Sequence, residues 1–362
     1  MYTNKGKTPV IGICVSKVKR DLHRIVAERL KRYPCDATLI TFRIEKLNLE
    51  RQKVQGTCFE KKEGKIEHYQ GSFPIPKVLY MQSYADPDLF KKIEESVGCI
   101  IFNNFIFEKW QAWNLFASNK TLMSHLPDTK KICTEIELKT SLSLYQDVFL
   151  KPINPVKGHS SKGIVRVKLI NEENIKVIYQ KGHKIILDEF QSFNSFWSSI
   201  QSTLATNSYI VQQSIETIRW GEEKPTDIRM NMNKNNKGEW TVSSLFARIA
   251  LNGSHVAAGR GTQYLPIEIK QFLSLHFLND EIKTTAMINA LTNLGHKICQ
   301  TFDQSGYHMA DLGIDLGIDK SEQLWIFEVN PLPFPFASPI RDDSWIKPLE
   351  YARYILEKMT NS

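Results

Sequence analysis

The sequence predicts an N-terminal α/β domain followed by antiparallel strands and hairpins with helices among them. Strand and helix patterns alternate through the first third, strand follows strand from Val148 onward, and a carboxylate-bearing hairpin lies near the C-terminus. At 362 residues the chain is too long for one ordinary core, so two or three domains are expected.

In the first third, Val10–Val15, Ala37–Phe42 and Lys77–Tyr80 read as strands, with Asp21–Tyr33 and Asp88–Ser96 as helices between them. Asn48–Phe73 is polar and glycine-containing, and reads as an irregular hairpin excursion outside the core. Trp110–Leu126 carries apolar residues at helical spacing and stops at Pro127, after which Asp128-Thr129 opens a new segment. Then come the strand Val148–Pro152, a polar loop over Asn154–Gly163, the alternating strand Ile164–Ile170, and strands Lys176–Gln180 and Lys184–Phe190 about Gly182. Phe193–Leu204 is a short amphipathic helix and Tyr209–Ile215 a strand. Ile228–Asn233 and Trp240–Ile249 form a hairpin about Asn235, Asn236 and Gly238. Asp280–Asp303 reads as a core helix with Asn279 as cap and Gly306 as stop, and a helix over Trp345–Met359 closes the chain.

Composition excludes several classes. With 42% hydrophobic and 24% charged residues the chain is neither disordered nor collagenous. Its 47 basic and 39 acidic residues give a net charge of +8, spread along the chain and not gathered into the stripe that nucleic acid would require. The surplus points toward anionic ligands, phosphates included. Six cysteines without a CxxC pair argue against zinc clusters, redox motifs and a disulfide scaffold. The N-terminus lacks a signal pattern, and the longest apolar run, Val97–Phe107, is interrupted by Asn103 and Asn104 and too short to span a bilayer, so a cytoplasmic protein is expected.

The most informative stretch is Ala310–Asp319, a four-residue turn, and Leu324–Asn330. With Asp319 opposite Leu324, the register sets Asp315 opposite Glu328, a like-charge pair costing about 0.2–1 kcal/mol. A divalent cation reverses that sign. Asn330 lies on the same face as Glu328 and completes an all-oxygen set suited to magnesium with substrate phosphates. Two solvated hairpin carboxylates would carry the same pattern.

Lys151 ends its strand just before Lys157-Gly158-His159-Ser160-Ser161-Lys162-Gly163, a glycine-rich, hydroxyl-bearing loop able to aim backbone N–H groups at phosphates. It is not a Walker loop, because Ile164-Val165 follows where that motif continues differently. Asp227 and Arg229 share one strand face and Arg248 lies on the partner strand, which a surface ion-pair ladder would also explain. Arg260 sits between two glycines, as in a ligand-approaching or a plain loop.

Taken in order, Asn119-Lys120, Leu126-Pro127-Asp128-Thr129, Phe149-Leu150-Lys151-Pro152 with its loop, Tyr209–Ile215, Asp227-Ile228-Arg229, and Asp315 with Glu328-Val329-Asn330 resemble an ATP-grasp enzyme. The run Lys224–Arg229 through Gly238-Glu239-Trp240 to Arg248 resembles the YheC/YheD-type, spore-coat-associated branch, related to RimK-like and D-Ala:D-Ala ligases. The likeness covers about residues 120–335 and is vaguer before them.

The resemblance implies an N-terminal domain over 1–115 and a two-lobed ATP-grasp fold with α+β subdomains 116–210 and 211–362. It implies ATP between the lobes, with Lys120 and Lys151 on the phosphates and Gly158, Ser160, Ser161, Lys162 and Gly163 in the loop closing over them. Gln213, Ser214 and Ile215 would meet the adenine edge with Gln212 beside it, and Asp227 would reach the ribose. Asp315, Glu328 and Asn330 would hold Mg2+, and Arg229 and Arg248, with Lys151, would act on the transferred phosphoryl group or the carboxylate substrate. The implied activity is an ATP- and magnesium-dependent carboxylate–amine ligase working through an acyl phosphate. Its substrates would be a carboxylate and an amine drawn from amino acids, peptides or cell-wall precursors, with association to the spore coat. Two departures, Ala257-Ala258-Gly259-Arg260-Gly261 and Pro331-Leu332-Pro333-Phe334, keep open a nucleotide-binding structural protein that has lost ligation, or a phosphotransferase.

Overall fold

Residues 8–15, 22–154, 163–181, 184–206, 208–221, 224–251, 263–333, 340 and 342–361 are described by a computed structural model. The predicted loop residues Gly158, Ser160, Ser161 and Lys162, and the stretch Ala257–Gly261, lie outside them.

The strand patterns of the first third assemble into one six-stranded sheet. Its elements are β1 (Val10–Val15), α1 (Leu22–Arg32), β2 (Ala37–Asn48), β3 (Lys53–Lys62), β4 (Lys65–Pro74), β5 (Val78–Gln82), α2 (Pro87–Val97) and β6 (Ile100–Phe102). The order is β4-β3-β2-β1-β5-β6, parallel from β2 to β6 and antiparallel across β2, β3 and β4. Asp86 caps α2 by accepting from the Asp88 amide at 3.0 Å, Pro87 takes the first turn, and Gly98 ends the helix at φ 62°. The expectation for Asn48–Phe73 is corrected. β3 and β4 are a regular hairpin extending the sheet, and β3 buries Val54, Cys58 and Phe59. The charges of this segment occupy its exposed positions and hide the alternation.

Where one helix was expected over Trp110–Leu126, there are two, α3 (Lys109–Ala117) and α4 (Lys120–Met123). Asn119 makes the break, accepting from the Thr121 amide at 3.0 Å as the cap of α4.

The second sheet comprises β7 (Thr129–Ile132), α5 (Glu135–Tyr145), β8 (Asp147–Pro152), β9 (Val165–Leu169), β10 (Ile175–Lys181), β11 (Lys184–Phe190), α6 (Phe193–Thr206) and β12 (Tyr209–Gln213). It is antiparallel in the order β11-β10-β9-β8-β12-β7, and α5 and α6 seal one face with Leu138, Leu142, Phe196 and Ile200. The third contains β13 (Thr226–Lys234), β14 (Trp240–Ala250), β15 (Tyr264–Glu268), α7 (Ile269–His276), α8 (Glu281–Gln304), β16 (Asp311–Ile318) and β17 (Leu324–Asn330), with a 3-10 turn Asp343–Trp345 and α9 (Lys347–Asn361) following. Its order is β15-β14-β13-β16-β17, all antiparallel. Asp280, not Asn279, caps α8, accepting from the Ile282 and Lys283 amides at 3.0 Å. Leu291, Leu294, Ile298 and Phe302 of α8 pack in one core with Met230 and Met232 of β13. Among the described residues no helix is long and apolar enough to cross a membrane.

The first and third sheets are stitched by buried polar groups. Asn103 donates to the carbonyls of Asp311 (2.7 Å) and Pro331 (2.9 Å) and accepts from the amides of Ala310 and Asp311. The Asp311 carboxylate accepts from the Tyr80 hydroxyl and, at 2.8 Å, from the Asn233 amide. Arg29 donates to the carbonyls of Ser344 and Trp345, and Leu349, Ala352 and Ile355 of α9 share a core with β1 and β5.

Burial pushes the Asp311 carboxyl up to about 6 against the partial relief given by Arg29. Folding therefore favours its protonated form. The stabilising contribution is complete below the ordinary carboxylate value and is lost as the pH climbs through 6, a change of about 3 kcal/mol. Unfolding free energies from urea titrations at pH 4 and pH 7 are expected to differ less for Asp311→Asn than for the parent, by about 2 kcal/mol. Parallel pH profiles would remove Asp311 as the source.

Candidate active site

A cleft opens between the second and third sheets, enclosing about 960 Å³ of non-protein space, open solvent at its mouth included. Strand alternation sets its walls. On β8, Val148, Leu150 and Pro152 are buried inside while Phe149 and Lys151 face the cleft. On β12, Ile210 pairs with Lys151 and Gln212 with Phe149. On β13, Ile228, Met230 and Met232 enter the core, leaving Asp227, Arg229, Asn231 and Asn233 on the other face. On β16, Leu312, Ile314, Leu316 and Ile318 are core and Asp311, Gly313, Asp315 and Gly317 share the opposite face.

Asp315 does lie opposite Glu328, but by a different route from the one the turn suggested. Ile318, not Asp319, pairs with Leu324, and a β-bulge between Asp315 and Leu316 restores the offset at Phe327. The two glycines flanking Asp315 leave room. A Cβ at Gly313 would overlap the Arg229 guanidinium, and one at Gly317 would overlap the Phe327 ring. Asn330 pairs with Gly313, two residues beyond Glu328.

Each acid has a cation. Arg229 Nη1 reaches Asp315 Oδ1 at 2.7 Å and Arg248 Nη2 reaches the same oxygen at 3.0 Å. Lys109 Nζ meets Glu328 Oε1 at 2.8 Å. Arg248 grips Asp227 with Nε at 2.6 Å and Nη2 at 2.8 Å. These arginine side chains are only 5% and 4% exposed, so this is an internal network and not the surface ladder the sequence allowed. Burial alone would raise the Asp315 carboxyl; the Arg248 and Arg229 guanidiniums overcome it and hold the group below the usual range. Burial pushes the Lys151 ammonium down to about 8, against the opposing pull of Glu328. Its Nζ donates to Gln212 Oε1, and Gln212 Nε2 donates to Thr129 at 3.0 Å.

The expected residues Lys151, Gln212, Gln213, Ser214, Ile215, Asp227, Asp315 and Glu328 all line the cleft. Gly163 stands at φ 89° just before β9, a conformation that suits glycine. Lys120 is exposed on α4 and is not among the residues lining the cleft; the α4 cap, Asn119, binds Thr301 of α8. The lysine beside Glu328 and Lys151 is Lys109, at the first turn of α3. Two local expectations are narrowed. The amides of Gln213 and Ser214 already donate to Asp128 (2.8 Å) and Asp147 (3.0 Å), and both Asp227 oxygens are engaged by Arg248. Sequence reasoning also missed Phe327, Phe149 and Arg166 as cleft residues. Phe149 was accessible to it, two residues before Lys151 on the same strand face. Lys109 carried no distinguishing signal.

As a cation site, Asp315 and Glu328 offer Oδ2 and Oε2 that have no hydrogen-bond partner among the described residues, with Asn330 adding an amide oxygen. Two carboxylates and an amide fit magnesium that takes its remaining ligands from phosphates.

Residues 98–355 match the family model described as YheC/D like ATP-grasp. The endospore coat-associated protein YheD of Bacillus subtilis is 24% identical over 98% of this chain and 80% of its own length. Among solved structures, D-alanyl-alanine synthetase A from Vibrio cholerae is 12% identical with a TM-score of 0.52, covering 98% of both chains. The ATP-grasp ligase PsnB, complexed with a precursor variant, Mg and ADP, is 12% identical with a TM-score of 0.51, covering 97% of this chain and 98% of that one.

Proposed function

The chain belongs to the YheC/D-like ATP-grasp family, and from that premise we propose that it is an ATP- and magnesium-dependent carboxylate–amine ligase. The observation that carries the reading is the convergence of Lys151, Asp315 and Glu328 on one cleft between two antiparallel sheets, with Lys109 bound to Glu328 from an adjoining cavity. Asp315, Glu328 and Asn330 would hold magnesium, which supplies charge neutralisation to the triphosphate. Lys151 and Lys109 add fixed positive charge to the phosphates. Phe149, with Arg166 5.5 Å from its ring centroid, and Phe327 offer the base a flat apolar seat, and the Ile215 amide remains for its edge.

The substrate carboxylate oxygen attacks the γ-phosphorus, its bond to the departing ADP oxygen breaks, and an acyl phosphate results. The amine then attacks the acyl carbon, a C–N bond forms, inorganic phosphate leaves, and the amine gives up a proton. Arg229 and Arg248 stabilise the anion formed in the first step, while Asp227 positions Arg248. YheD is named for the endospore coat, and we carry only that location to this chain as a proposal.

The test is an ADP-release screen of amino acids, short peptides and cell-wall precursors with magnesium-ATP, with mass spectrometry of the product. Acceptor-dependent ADP and an amide product are expected. Nucleotide binding without acceptor-dependent release would instead indicate a binding protein, and a stable phosphorylated product a phosphotransferase. Lys109→Met is expected to weaken magnesium-ATP binding about tenfold, or about 1.4 kcal/mol. Lys120→Ala should leave it within about twofold. Equal losses in calorimetry would return the phosphate role to Lys120.

A further inference from the structure

We propose that β4 is the interface of a two-fold dimer: the outer edge of the first sheet pairs antiparallel with β4 of a second copy of this chain, joining two six-stranded sheets into one.

The observation is a strand edge left open. β4 (Lys65–Pro74) is the longest edge strand among the described residues, ten residues paired with β3 without a break in register. No main-chain group of residues 65–73 has a hydrogen bond outside that ladder among the described residues. A free edge is a template for another chain, and proteins blunt it by shortness, by charge, by proline or by a cover. The other edges use these devices. β6, β7 and β15 are three to five residues long, with Lys130 and Lys131 on β7. β11 carries Lys184, Asp188 and Glu189 within seven residues. β17 is covered by His125, whose carbonyl accepts from the Ile326 amide at 2.8 Å and whose Nδ1 lies 2.9 Å from the Leu324 carbonyl. On β4, Lys65 is the first residue and Pro74 the last, Glu67 is the one formal charge between them, and all but Ile66 and Phe73 are exposed.

The strand is complementary to itself in one register. Side chains directly opposite each other share a sheet face, so a two-fold axis normal to the sheet passes through a residue. Tyr69 or Gln70 gives the greatest overlap of Lys65–Pro74. An axis at Gln70 seats Pro74, which has no N–H, opposite Ile66 inside the ladder, whereas an axis at Tyr69 leaves it outside. With the axis at Tyr69, Lys65 faces the partner's Phe73, Glu67 the partner's Gly71, His68 the partner's Gln70, and Tyr69 its own counterpart. No like charges meet, and two aromatic rings come together at the centre. In the single chain Tyr69 is 49% exposed, its ring centroid 5.8 Å from that of Phe73. The edge lies across the sheet from β5 and β6, where Tyr80 and Asn103 join the third sheet, so pairing there engages none of the cleft residues.

The test is sedimentation velocity of the full chain over a dilution series, in which the parent is expected to dimerise. Tyr69→Lys and Tyr69→Glu each set like charges across the axis and remove the aromatic pair, and each should weaken the dimer about tenfold. An equimolar mixture of the two variants sets opposite charges there and should recover most of that loss. A parent that stays monomeric up to about 100 μM overturns the proposal. So does a dimer that both variants leave unchanged, or a mixture that associates no more tightly than either variant alone. Hydrogen exchange on the parent requires no substitution: amides within residues 65–73 should exchange more slowly as the protein concentration rises. If the variants do not fold, that measurement decides, and exchange rates independent of concentration overturn the proposal.

Discussion

Glu328→Gln is expected to lower acceptor-dependent ADP release by about one to two orders of magnitude, the scale of losses seen when a metal site's supporting groups are altered. The amide preserves the shape of the side chain and removes only the charge. Glu328 is opposite Asp315 across β16 and β17, where like charges oppose sheet formation unless a cation lies between them. Its partner Lys109 is only 11% exposed, so neutralising the acid leaves a largely buried ammonium without its carboxylate and the magnesium without a ligand. The deficit should shrink as magnesium is raised, because the remaining Asp315 and Asn330 retain weak affinity. ADP release at several magnesium concentrations checks this. Turnover equal to the parent at low magnesium would remove Glu328 from the site.

Lys151→Met is expected to separate activity from stability. Turnover and nucleotide affinity should fall by more than tenfold, yet the thermal midpoint should not fall. The reason is the buried ammonium, whose pKa burial pushes down to about 8. An unfolded lysine titrates near 10.4, so folding at pH 7 carries a cost of about 3 kcal/mol that disappears as the pH rises above the unfolded value. Methionine relieves that cost. It leaves Gln212 Oε1 without its donor, a loss of about 1–3 kcal/mol that at most cancels the gain. Between pH 7 and 9 the parent should lose nucleotide affinity as Lys151 deprotonates, while Lys151→Met stays flat. Thermal melts and binding titrations at those pH values check both halves, and a midpoint well below that of the parent would contradict the first.

Wherever one strand face is buried, alternation made the fold legible. β8, β13 and β16 each divide cleanly into two faces, and from such alternation the sequence yielded the face shared by Asp227 and Arg229 and the opposition of Asp315 and Glu328, while the role of Lys151 came from the family resemblance. Two kinds of feature were not legible. Lys109 and Lys120 both begin helical stretches before Pro127, and only the break at Asn119 decides which one faces the cleft. Asp227 and Arg248 were assigned to partner strands from sequence, but whether the pair was solvated or internal depended on what packs against the sheet. Charge likewise disguised β3 and β4, since a solvated strand face and an irregular hairpin excursion share the same composition.

The bulge at Phe327 has a consequence for how this chain tolerates change in length. A regular strand sends neighbouring residues to opposite sides, yet Phe327 and Glu328 both line the cleft. The extra residue lets one strand present an aromatic surface and a carboxylate side by side. Remove one residue between Leu324 and Glu328, and the sheet can keep its pairing only by giving up one of the two groups. The number of residues in this strand is thus as binding a constraint on the site as their identity, and insertions or deletions here should be far less tolerated than substitutions at Leu324 or Trp325.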